Sequence, residues 1–145
     1  AEVLPFEACV VPVRLSARDS VMTNAAKLAA VGGVGTNCSA PLAVLNKSGA
    51  KGDLVILVSD NESWVDAGGH GTATLRAWGR FKDRNPGARL VCLDIQPNAT
   101  TQAKDRADIL NVGGFSDHVF EIIAEFAQGR LSGGHWVGTI EKVEL

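Results

Sequence analysis

No stretch of this 145-residue chain comes near a continuous apolar run of ~20 residues. A membrane-spanning helix is therefore not expected. A basic-then-apolar leader is also missing, so the sequence shows no secretion signal. Cysteine is scarce, with Cys9, Cys38 and Cys92 far apart in sequence. Zinc ligands usually come as closely spaced pairs, and that spacing does not occur. The odd cysteine count predicts reduced, mostly buried thiols in a cytoplasmic protein. Charge of one sign is not in excess either: the net charge is −2, and Arg14, Arg18, Arg76, Arg80, Arg84, Arg89 and Arg106 form no dense run. Composition thus gives no argument for a nucleic-acid binder, although a local basic patch stays open. His70, His118 and His135 lack metal-motif spacing and read as capping or surface residues. No internal repeat or linker divides the chain, which reads as one domain over residues 1–145.

What the sequence does contain is alternation of strand and helix signals. Val3–Phe6 and Cys9–Leu15 read as strands, pushed toward a sheet edge by Pro5 and Pro12, which cannot donate to a ladder. Ser20 reads as the N-cap of a helix with Val21, Ala25, Leu28 and Ala29 on one face. After the glycine-rich run Gly32-Gly33-Val34-Gly35, Ser39 can cap a second helix with Pro41 in its first turn, ending near Lys47. Leu54-Val55-Ile56-Leu57-Val58 is the kind of run found in a strand covered by helices on both faces. Gly68–Gly71 opens a third helix carrying Thr74, Ala77, Trp78 and Phe81. Arg89–Ile95 is a second buried strand, and a polar loop runs from Gln96 to about Asp105. Asp117 can cap a last helix with Val119, Ile122, Ile123 and Phe126, and Trp136–Leu145 has the β-branched content of a strand. The pattern predicts an α/β fold with a mostly parallel central sheet and helices on both faces.

Ligands of such sheets sit beyond the carboxyl ends of the strands. Asp60 follows the most apolar strand, and with Glu62 it offers hard oxygen donors for a divalent cation. Both can equally cap the next segment and face solvent. Asp94 ends the second buried strand and is a weaker candidate. The run from Gly32 to Asn37 could cradle an anion with backbone N–H groups, but it lacks the Gly-Lys-Ser/Thr ending of a phosphate loop. A metal-dependent α/β hydrolase or phosphotransferase using Asp60, Glu62 and Asp94 is the enzymatic alternative. No nucleophile or phosphate loop stands at a strand end to support it.

Two stretches taken together resemble a known family. Gly33-Val34-Gly35-Thr36-Asn37-Cys38-Ser39-Ala40-Pro41 and Val58-Ser59-Asp60-Asn61-Glu62-Ser63 are similar to the corresponding segments of the von Willebrand factor A (vWA) domain of Ro/TROVE autoantigen proteins. Gly69-His70, Leu4-Pro5-Phe6 and Val11-Pro12-Val13 extend the likeness over essentially the whole chain. The resemblance implies a Rossmann-like vWA fold and a non-enzymatic protein-binding or scaffold module of a small-noncoding-RNA ribonucleoprotein in the cytoplasm. It also implies a metal ion-dependent adhesion site in which Thr36 and Asp60 match two of the ligand positions. Mg²⁺ or a similar cation would be the ion, and an acidic group of a protein partner would complete its shell. RNA would be reached only through the family's other, helical-repeat domain.

One departure is large. The family's Asp-x-Ser-x-Ser loop occurs nowhere in the sequence, and Arg18-Asp19-Ser20 stands before a helix, not after a buried strand. The chain reads as an N-terminally incomplete vWA domain that starts at the family's second strand. It would then be a piece of a longer protein, or receive the first strand from another chain, or complete its sheet with Trp136–Leu145. With Thr36 and Asp60 alone, metal binding is expected to be weak or absent. The Leu54–Val58 strand is expected to recruit a neighbour along its open side.

Overall fold

The structure is a computed structural model that describes residues 1–32, 35–59, 72–95, 106–114 and 116–130. Its centre is a parallel sheet of β1 (Leu54–Ser59), β2 (Arg89–Asp94) and β3 (Ile109–Gly113), in that spatial order. The register pairs Leu54 with Arg89, Ser59 with Asp94, and Cys92 with Asn111. The helices are α1 (Val21–Ala29), α2 (Ala40–Ser48), α3 (Thr72–Arg84) and α4 (His118–Ala127).

Strand parity decides which residues face which helices. Leu57, Leu90, Cys92 and Ile109 point to one face and pack with Cys38 and Leu42 at α2 and Trp78 and Phe81 on α3. Val91 and Leu93 point to the other and meet Val119, Ile123 and Phe126 of α4. β2 is buried on both sides, which explains its uninterrupted apolar run Leu90–Leu93. Trp78 is fully buried and stacks on Phe81 with ring centroids 5.6 Å apart. Its indole N–H donates to Asp108 Oδ2 at 2.8 Å. Burial works against the Asp108 carboxylate, but the Trp78 hydrogen bond, Arg106 at 3.0 Å and Lys82 at 3.8 Å outweigh it and hold the pKa below the usual carboxylate range.

Local chemistry sets the helix ends. Ser20 Oγ accepts from Thr23 N at 3.1 Å, the expected N-cap of α1. Gly49 closes α2 in the left-handed region, φ 66°, where a side chain would be strained. Asn85 is buried after α3 and ties that helix to the α2–β1 loop: its amide donates to Phe81 O and Ala50 O, and its Oδ1 accepts from Gly52 N.

Several expectations are corrected. Segments 3–6 and 9–15 do not form strands. They meet in one antiparallel bridge, Phe6 with Val10, and the Pro5 carbonyl accepts from Val11 N. The prolines remove the donors a ladder requires. Of the α1 face bearing Val21, Ala25, Leu28 and Ala29, only Leu28 is half-buried and the rest is exposed, because the helix is held by its polar side: Asn24 bonds with Ser16, and Lys27 pairs with Asp19 at 2.6 Å. Ser39 and Asp117 stand at the expected N-cap positions of α2 and α4, but neither side chain makes a cap hydrogen bond. β3 was not anticipated as a strand, and β2 stops at Asp94 with Ile95 half exposed. The expected opening of α3 at Gly68–Gly71, the loop Gln96–Asp105 and the strand Trp136–Leu145 lie outside the described residues.

Candidate metal centre

The parallel sheet puts the carboxyl ends of all three strands on one side, with Ser59, Asp94 and Gly113 as their last residues. Ile95 N donates to Ser59 O and Gly114 N to Asp94 O, so the strands end level with one another. The loop carrying Thr36 arrives at this same side. Gly35 adopts φ 133°, a conformation that L side chains rarely take, and this accounts for a glycine immediately before Thr36. Thr36 is half-buried and Cys38 is buried. The Cys38 thiol lies 3.9 Å from the Ser59 hydroxyl at the end of β1.

Asn37 fixes the loop. Its backbone N donates to Glu7 O at 2.8 Å, and its amide donates to Ala8 O at 3.2 Å. Its Oδ1 accepts from Ser39 N at 3.1 Å and from Ser39 Oγ at 2.7 Å. The Asn37 side chain is therefore the clamp between the N-terminal segment and the start of α2. That is the Asx-turn role of Asn and Asp, and it is the capping role that Ser39 was expected to fill.

Asp60, the other residue expected at a metal, lies outside the described residues, as do Glu62 and His70. The residue before Asp60 is Ser59, so the Thr36 loop and the end of β1 are joined one residue short of it. Asp94 is half-buried at the end of the neighbouring strand. Among the described residues no group of three or more His, Cys, Asp or Glu could hold a metal ion. Thr36 can offer one neutral oxygen, and a site for a hard cation here needs carboxylate from the Asp60 segment. Ser59 was not singled out from the sequence. Its signal was parity: two residues beyond Leu57, it falls on the same inward face.

The Ro60 vWA domain family model matches residues 1–127. The chain belongs to that family. The crystal structure of the Deinococcus radiodurans RO (RSR) protein is similar to this vWA domain, with a TM-score of 0.68 and 20% sequence identity. The match covers 87% of this chain and 25% of that one, so the domain spans about a quarter of the Deinococcus protein. At this identity the likeness bears on the fold, and the fold is Rossmann-like vWA: a parallel sheet with helices on both faces. No curated protein sequence matches this vWA domain. Among the described residues no helix is long and apolar enough to cross a membrane.

Proposed function

We propose that this vWA domain is a non-catalytic protein-binding module of a Ro-type ribonucleoprotein, carrying a partial adhesion site for a divalent cation. The observation that carries the reading is the seam between the Thr36 loop and the carboxyl end of β1, in a chain of the Ro60 vWA family. The Thr36 hydroxyl and the Asp60 carboxylate would hold Mg²⁺ or Mn²⁺, and the cation would supply a Lewis-acidic point for an acidic side chain of a protein partner. Mg²⁺ gives up its water reluctantly and prefers an octahedral oxygen shell, so two protein ligands hold it weakly. The domain would act in the cytoplasm. Specific recognition of small noncoding RNA would lie in another part of such a ribonucleoprotein.

Calorimetric titration of Mn²⁺ into the chain tests the site. Weak binding is expected, lost in Asp60→Ala and reduced in Thr36→Val. Tight binding by the chain alone would show that further ligands had been overlooked. Weak binding unchanged in both variants would remove the site from this position.

A further inference from the structure

The arginines that look scattered in the sequence are collected by α3. Arg76, Arg80 and Arg84 are all exposed and stand four residues apart, about 6 Å of helix rise between neighbours. α2 lies alongside, joined by Asn46 Nδ2 donating to Ala77 O at 2.8 Å and by Arg84 Nη2 donating to Asn46 Oδ1 at 2.7 Å. Arg84 also donates to Arg80 O at 3.1 Å, so its guanidinium lies along the seam between the two helices. Lys47, next to Asn46, is exposed as well. Ion pairs among the described residues engage Lys27, Lys82, Arg106, His118 and Arg130, and none of these four. Asp83 is exposed on the same side of α3 and offsets part of the charge. Across the sheet the sign reverses, with Glu121 and Glu125 on α4. A chain of net charge −2 therefore carries a basic α2–α3 face.

We propose that this face binds the phosphate backbone of nucleic acid, independently of the metal-site reading above. Guanidinium groups match phosphate oxygens in bidentate geometry and stay charged at any physiological pH. A protein interface of comparable charge is normally centred on an aromatic or apolar anchor. α3 exposes no large hydrophobic residue, and on α2 only Val44 is exposed, at 38%. The chemistry is that of sequence-independent backbone binding, governed by counterion release.

The test is fluorescence anisotropy of a labelled single-stranded oligouridylate with the full chain over a range of salt. Four phosphate contacts to a single strand give a slope of about −2.8 in log K against log salt, so affinity falls about 50-fold between about 50 and about 200 mM salt. Arg76→Gln/Arg80→Gln should halve that slope to about −1.4 and leave a fall of about 7-fold over the same range. Arg76→Lys/Arg80→Lys should keep the original slope, and Arg130→Gln, beside α4, should change nothing. No binding at the lowest salt would overturn the proposal, as would a slope unchanged in the Gln variant. Tighter, arginine-dependent binding of polyglutamate than of RNA would overturn it in favour of an acidic protein partner.

Discussion

Replacing Asp108 by alanine should destabilise the domain far more than its place at the rim of the sheet suggests. The carboxylate is the acceptor for the indole N–H of Trp78, a side chain with no exposure to solvent. Removing it strands a buried donor, at a cost of about 1–3 kcal/mol. The pair with Arg106, itself half exposed, and the longer one with Lys82 add no more than about 1 kcal/mol each. Lys82 also retains its bond to Ala88 O at 2.6 Å. The expected loss for Asp108→Ala is about 2–4 kcal/mol. Asp108→Asn keeps an oxygen for Trp78 and should lose only the ion-pair share, about 1 kcal/mol. Urea denaturation with an unchanged m-value reads the difference. The acid limb gives a second reading. Because the folded pKa is lowered, the carboxylate contributes stability that is present above its unfolded value, near 3.9, and is lost as pH falls through the folded value. Asp108→Asn should flatten stability against pH in that window. Equal losses for Asn and Ala at neutral pH would mean that charge, not the Trp78 hydrogen bond, dominates, and the reasoning would fail.

Other outcomes follow from burial and pairing. Burial, with Cys38 adding to it, pushes the Cys92 thiol up to about 12, and Cys38 is itself buried while Cys9 is exposed. A disulfide reagent should therefore modify one thiol rapidly and two only on unfolding; rapid modification of all three would show that the α2–β1 seam opens freely. β1 has no strand along its outer side among the described residues, and Ile56 and Val58 are 46% and 45% exposed. Light scattering should detect self-association through that edge, relieved by Ile56→Lys/Val58→Lys. A stable monomer with no change in the double variant would mean that the edge is already covered. Asn85→Ala should cost about 1–3 kcal/mol, since Ala50 O and Gly52 N lose their partner while Phe81 O keeps the backbone N–H of residue 85; a loss below about 0.5 kcal/mol would show that water replaces them.

Much of this architecture was legible because it follows from runs and caps. The apolar stretches at β1 and β2 can be satisfied only between helices, and Ser20, Pro41 and Gly49 punctuate α1 and α2 through backbone chemistry that does not depend on the rest of the fold. What was not legible depends on tertiary partners. β3 escaped notice because Asn111 interrupts its apolar run. Its pairing with Cys92 places it opposite a buried strand residue, and that pairing is a property of the sheet. The apolar side of α1 was expected to be buried, but Lys27 and Asn24 anchor the helix through its polar side, and no periodicity distinguishes these outcomes. At the candidate site, the Thr36 loop could be read from its glycines. The clamp by Asn37 could not, because its partners Glu7 and Ala8 are some thirty residues away. The basic face was hidden for a related reason: a four-residue spacing is dispersed along the sequence and becomes a row only on a helix.

Among the described residues one side of β1 carries no strand, and this has a consequence for amide exchange. Arg89 N donates to Asp53 O and Ile95 N to Ser59 O. This phase directs the N–H groups of Val55, Leu57 and Ser59 toward β2, and those of Leu54, Ile56 and Val58 away from it. Deuterium uptake along this one strand should thus alternate residue by residue, fast at 54, 56 and 58 and slow at 55, 57 and 59, with β2 slow throughout. Such a two-residue rhythm would turn β1 into its own occupancy gauge. Any segment that docks along the edge by strand pairing must slow the fast set while leaving the slow set as it was. A ligand bound at the α2–α3 face would leave both unchanged.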